Sequence, residues 1–202
     1  MEPAGVDPVG GGTEPAVPAR SVPIVNPANA VTVLRILMVP VFGWMLLQPG
    51  DGWRLGALAV FLLASLTDHV DGELARRKDL ITDFGKIADP IADKALMGMA
   101  LVGLSIIDEL WWWVTVVIMV REIGVTLLRF WVIKHGVIAA SKGGKLKTVL
   151  QITAIALYIL PLGWLALDIT EAVVMGGAVL VTVATGVDYL WRALRLRRQA
   201  AS

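Results

Sequence analysis

Six runs of mostly apolar residues, at about 30–48, 54–73, 84–106, 111–133, 146–166 and 171–191, leave this chain little choice of fold. Each is close to the ~20 residues that an α-helix needs to cross the hydrocarbon of a bilayer. Lipid offers no partner to a free backbone N–H or C=O, so a spanning segment must be a helix or part of a closed barrel. The alternating pattern that a barrel requires is absent from the sequence. Composition agrees: 56% of the residues are hydrophobic, 17% are charged and the mean hydropathy is +0.72. A soluble domain is nearer 45–50% apolar and about 25% charged. The connections are short and no internal repeat is evident, so the expected fold is all-α: a polytopic membrane protein with six transmembrane helices and antiparallel neighbours.

The basic residues then set an orientation, because Lys and Arg in short loops remain in the cytoplasm. Arg76, Arg77 and Lys78 follow the second run, Lys134, Lys142, Lys145 and Lys147 separate the fourth from the fifth, and Arg192, Arg195, Arg197 and Arg198 follow the sixth. The opposite loops, "QPGDGW", "IDEL" and "LDIT", hold neither Lys nor Arg, with Arg54 just beyond the first of them. With six spans, both termini are expected in the cytoplasm. Residues 1–24 are rich in Pro and Gly, lack the basic start and apolar centre of a signal peptide, and read as a disordered cytoplasmic tail. Residues 25–192 are expected to form one helical domain, and 193–202 a basic cytoplasmic tail. There is no basic soluble face for nucleic acid, and the lack of cysteine excludes disulfides and thiolate metal sites. The tryptophans of "LWWWV" at 110–114 suit an interfacial belt.

Against this background the segment from Asp68 to Asp93 is anomalous, since carboxylates beside spanning segments are costly and mark function. Asp68 and Asp71 are three residues apart, Asp89 and Asp93 four apart, so each pair shares a helix face. The stretch between the pairs is long enough to turn the chain, so two consecutive helices can direct four acids into one pocket. Charges that close repel and must be relieved by protons or a multivalent cation. An all-oxygen set without His or Cys suits a hard ion, magnesium or manganese. Gly72 and Gly85 permit close helix or ligand approach, and Arg76, two turns after Asp68, can reach a phosphate.

Three other segments carry polar groups into apolar surroundings. In "NPANAVTVLR", Asn29 and Thr32 are either helix caps or site residues, while Arg35 lies a turn inside the first span. In "REIGVTLLRF", Arg121 and Arg129 are eight apart on roughly one face, and Glu122 is either their structural counter-ion or part of a site. In "ASKGGKLKTVLQ", Ser141, Lys145, Lys147 and Thr148 offer donors suited to a phosphate, or the lysines simply fix topology.

The pattern D-x2-D-G-x2-A-R-x8-G-x3-D-x3-D, filled here by Asp68, Asp71, Gly72, Ala75, Arg76, Gly85, Asp89 and Asp93, resembles the signature of the CDP-alcohol phosphatidyltransferase family. The resemblance implies a six-helix membrane fold, a homodimer and a two-metal site (Mg2+ or Mn2+) facing the cytoplasm of a bacterial plasma membrane. It implies that Asp68, Asp71, Asp89 and Asp93 bind the metals and that Asp93 is also the general base. Gly72, Ala75 and Arg76, with Asp71 and Gly85, would form the site for the cytidine diphosphate, Gly85 keeping the helices close. The "REI" and "ASKGGKLKTVLQ" segments are similar to those of bacterial phosphatidylglycerophosphate synthases. The expected donor is therefore CDP-diacylglycerol and the expected acceptor glycerol 3-phosphate, its phosphate held by Arg121, Ser141, Lys145 and Lys147, with Asn29, Thr32 and Arg35 in support. The same chemistry on inositol phosphate or phosphatidylglycerol is the alternative, and a divalent-cation transporter, which usually shows a repeat or broken helices, fits less well.

Overall fold

The structure, a computed structural model, describes the backbone of residues 27–77, 83–132 and 142–200, and side chains within residues 29–67, 88–128 and 144–195. The described residues form six α-helices and contain no strand: α1 (Pro27–Leu46), α2 (Asp51–Arg77), α3 (Asp83–Ile106), α4 (Trp112–Val132), α5 (Lys142–Ile159) and α6 (Leu165–Ala200). The all-helical expectation is thus met, with one helix for each apolar run.

Two boundaries differ from the sequence reading. The fifth run was expected to continue to 166, but α5 stops at Ile159. Pro161 supplies no N–H and disfavours the helical conformation at Leu160, so the chain leaves the helix there. The sixth helix consequently starts at Leu165 rather than 171, and "LDIT" is its first turn instead of a loop. Asp168 falls in that turn, where a carboxylate complements the positive end of the helix dipole.

Burial along each helix explains the packing. On α1 the buried positions are Asn29, Thr32, Arg35, Val39, Phe42 and Leu46, a single stripe at helical spacing. The stripe is polar for its first three members and apolar for the rest. α5 repeats the pattern with Lys147 and Gln151 followed by Ala154, Ile155 and Ile159. The apolar halves of these stripes meet Phe61 of α2, Leu101 and Leu104 of α3 and Ile118 of α4 in one core. The outward faces are apolar too: Leu37 and Val41 on α1, Leu63 and Leu66 on α2, Val120 and Leu127 on α4, Val173 and Leu180 on α6 are all exposed. A bundle that is apolar outside as well as inside is one whose solvent is lipid. By length and composition alone, Asn29–Leu46 and Leu165–Arg195 suffice to cross a membrane.

α2 and α3 pack on α1, while α4 and α5 pack on α6; α2 with α5 and α3 with α4 join the two groups. Close approach depends on glycine at a few points: a Cβ on Gly103 of α3 would lie 2.6 Å from Leu46 Cδ2 of α1. At the end of the bundle where α1–α2, α3–α4 and α5–α6 connect, Arg54 makes a clasp. Its Nε and Nη2 donate to the carbonyls of Ile159 (3.2 Å) and Tyr158 (2.7 Å), and Nη1 meets Glu109 Oε1 at 2.5 Å. The last carbonyls of α5 have no helical donor of their own, and a cation at a helix C-terminus is favourable. Arg54, the basic residue out of place in the orientation pattern, is engaged structurally.

Candidate active site

With that clasp at one end, the starts of α1, α3 and α5 and the ends of α2, α4 and α6 gather at the other. The polar halves of the buried stripes lie there. On α3, Asp89 is exposed and Asp93 half-buried, one turn apart. Thr32 of α1 donates its hydroxyl to Asp89 Oδ1 at 2.5 Å. Thr32 lies well inside α1, so the reading of it as a helix cap does not hold; it positions an acid instead. Asn29 and Arg35, one turn to either side, are buried on the same stripe.

Asp68, Asp71, Gly72, Ala75 and Arg76 lie on the last turns of α2, and Gly85 on the first turn of α3. The uninterrupted helix puts Asp68 and Asp71 on one face of α2, while their side chains, like those of Ala75 and Arg76, lie outside the described residues. Ser141 lies wholly outside them. Among the described residues no three His, Cys, Asp or Glu side chains come together as a metal site. The donor chemistry nevertheless fits a hard divalent ion: Asp89 and Asp93 offer carboxylate oxygens from one face.

A second polar group ties α4, α5 and α6 together. Glu122 of α4 accepts hydrogen bonds from Lys147 Nζ of α5 and from Arg121 Nη1, the latter at 3.1 Å. Arg121 continues to α6, donating from Nε to the Thr182 carbonyl (3.1 Å) and from Nη2 to Thr185 Oγ1 (2.9 Å). Gln151 Nε2 donates to Thr182 Oγ1 at 2.9 Å. Gly186 makes room for this: a Cβ there would stand 3.0 Å from Arg121 Cγ. Such a network persists in a dry interior only when its members are satisfied, and Glu122 provides the charge balance. Of the two readings of Glu122, the counter-ion is the one observed, shared between Arg121 and Lys147.

A cavity of about 800 Å3 opens between α2, α4, α5 and α6 beside this network, with Lys94 of α3 also on its wall. Arg121, Lys145, Lys147 and Arg192 border it together with Glu122, Asp188 and the apolar Leu62, Leu66 and Ile152. Arg192 Nε is paired with both oxygens of Asp188, at 3.1 and 2.9 Å. A smaller pocket of about 30 Å3 lies behind, bordered by Asp93, Lys94, Glu122, Lys147 and Gln151. Three of the four cations and hydroxyls expected to hold an acceptor phosphate, Arg121, Lys145 and Lys147, therefore share one cavity, next to the pocket of Asp93. The sequence reading left out Lys94, Thr182, Thr185 and Asp188, took Arg192 only as a topology residue and quoted Gln151 only as the end of a motif. Lys94 could have been found as a further charge inside an apolar run; the threonines carry no such signal.

The sequence profile of the CDP-alcohol phosphatidyltransferases matches residues 25–184. The chain is 53% identical over 175 residues to a probable phosphatidylglycerophosphate synthase of Mycobacterium tuberculosis, covering 85% of this chain and 83% of that one. It is 36% identical over 190 residues to the CDP-diacylglycerol–glycerol-3-phosphate 3-phosphatidyltransferase of Bacillus subtilis, covering 84% and 97%. A relative of the same name in Rickettsia typhi is 37% identical over 169 residues, covering 81% and 94%.

Proposed function

The chain belongs to the CDP-alcohol phosphatidyltransferase family, and we propose from that premise that it transfers the phosphatidyl group of CDP-diacylglycerol to glycerol 3-phosphate. The products are phosphatidylglycerophosphate and CMP, a step of phospholipid biosynthesis. The observation that carries this reading is the cation-bordered cavity adjoining the pocket of Asp93. A small phosphorylated alcohol needs both a site for its phosphate and a base for its hydroxyl, side by side.

In this mechanism the acceptor hydroxyl attacks the phosphorus that carries diacylglycerol. A new P–O bond forms, the bond to the phosphate of CMP breaks, and the hydroxyl proton passes to the Asp93 carboxylate. CMP leaves with the electron pair of the broken bond. A base within hydrogen-bond reach contributes about 10²- to 10⁴-fold to such a step. Thr32 fixes Asp89 through its 2.5 Å bond, and the Arg121–Glu122–Lys147 network fixes the cavity wall against which the acceptor is oriented. Asp68, Asp71, Asp89 and Asp93 would hold divalent ions, whose chemistry is to neutralise the diphosphate and stabilise the leaving phosphate. Gly72, Ala75 and Arg76, with Asp71 and Gly85, are assigned to the cytidine diphosphate on the strength of the motif.

Membrane residence follows from the apolar exterior, and bacterial relatives support a bacterial plasma membrane. The distribution of Lys and Arg favours six spans with both termini and the site in the cytoplasm. Family resemblance favours a homodimer. The test is direct: membranes containing the protein, given CDP-diacylglycerol, glycerol 3-phosphate and magnesium, should release CMP and form phosphatidylglycerophosphate. Product with inositol phosphate or phosphatidylglycerol in place of glycerol 3-phosphate, and none with the latter, would refute the assignment of the acceptor.

A further inference from the structure

Five cations border the large cavity: Lys94, Arg121, Lys145, Lys147 and Arg192. Among the described residues three are already matched to a carboxylate, Arg121 and Lys147 to Glu122 and Arg192 to Asp188. An incoming phosphate would have to compete with those carboxylates. Lys94 and Lys145 form no ion pair with a described residue. Lys145 is exposed, where an ion pair contributes little, whereas Lys94 is half-buried. Lys94 also borders the small pocket that Asp93 borders, so it stands where the two spaces adjoin.

We propose that Lys94 is the cation that captures the acceptor's phosphate and selects for a short phosphorylated alcohol; this rests on the acceptor reading given above. Asp93 and Lys94 are consecutive on α3. Their Cα atoms are about 3.8 Å apart, and successive side chains on a helix diverge by about 100°. Asp93 borders the small pocket, and Lys94 borders both that pocket and the cavity. A ligand held by its phosphate at Lys94 can present a hydroxyl to Asp93 only if a few atoms separate the two groups. A three-carbon phosphate meets that condition, and an acceptor without a phosphate loses the anchor. A lysine that only balanced the charge of nearby acids would act on turnover rather than on the acceptor's affinity.

The experiment uses the full chain in micelles with magnesium and CDP-diacylglycerol. Lys94→Gln should raise KM for glycerol 3-phosphate about 10- to 100-fold, the size of one lost hydrogen bond to a charged group. The KM for CDP-diacylglycerol and kcat should stay within about twofold, and Lys94→Arg should restore most of the acceptor affinity. The Ki of inorganic phosphate, as competitor of glycerol 3-phosphate, should rise in parallel with KM. In the wild type, acetylation of Lys94 by acetic anhydride, followed by mass spectrometry, should slow several-fold when glycerol 3-phosphate is present; this readout does not depend on any variant folding. An unchanged acceptor KM in Lys94→Gln, a fall in kcat alone, or no protection of Lys94 would overturn the proposal. Wild-type protein that ignores glycerol 3-phosphate and uses another acceptor would instead overturn the acceptor reading, and the proposal with it.

Discussion

Glu122→Gln offers a quantitative test of the network behind the cavity. The Glu122 carboxylate is shared by Lys147, whose side chain is 8% exposed, and Arg121, 14% exposed, and is itself 19% exposed. Removing one partner of a fully buried ion pair costs about 3–5 kcal/mol, because the other charge is stranded. An exposed pair contributes about 0–1 kcal/mol. Glu122 borders the cavity and is partly open to it, so the expected loss is intermediate, about 2–3 kcal/mol. For a chain of this length each kcal/mol shifts Tm by about 2–4 °C, which gives a drop of about 4–12 °C in micelles. The structure also dictates an asymmetry. Lys147→Met leaves Glu122 with Arg121, and it removes a buried charge rather than stranding one, so Tm should fall by less than about 4 °C. In the double variant no buried lysine is left unpaired, and Tm should lie above that of Glu122→Gln. Thermal melts of the four proteins complete a double-mutant cycle. Equal losses in the two single variants, or a double variant whose loss is their sum, would refute the shared-carboxylate account.

Other outcomes can be checked with the same preparations. Asp93→Asn should lower kcat by about 10²- to 10⁴-fold while the melt stays close to wild type, and full activity would remove Asp93 as the base. Chelation with EDTA should abolish CMP release, and added magnesium or manganese should restore it; calcium, larger and with looser geometry, should restore less. Arg54→Ala should lower stability by about 1–3 kcal/mol through lost charge-assisted hydrogen bonds, and Tm with it, with both KM values unchanged, since Arg54 lies at the opposite end of the bundle from the cavity. A change in acceptor KM would show that the two ends are coupled.

Much was legible in the chain itself because the physics behind it is local. Apolar runs near 20 residues long specify helices in lipid, and i, i+3 or i, i+4 spacing aligns acids on a helix face without reference to the rest of the fold. The reach of Thr32 toward Asp89 was not visible, since 57 residues separate them. Nor was the end of α5: Pro161 was present in the sequence, but the apolar run continued past it, and hydropathy outweighed the breaker in placing that boundary. Arg54 looked like an exception to the charge pattern until its contacts with the α5 carbonyls and Glu109 were located.

The sequence by itself determined the all-helical class and the family, because both are encoded in residue type and short-range spacing. Only the tertiary structure decided which charges are available. Lys147, Lys145 and Lys94 are not distinguished by charge when read along the chain, whereas Arg121 already stands beside Glu122. The roles of the lysines separate only once the helices pack, where Glu122 of α4 takes Lys147 of α5 and Lys94 of α3 is left bordering the cavity. Whether a charge is neutralised depends on which partner lies within a few ångströms, and residues 25 or more apart in sequence are brought that close only by the fold.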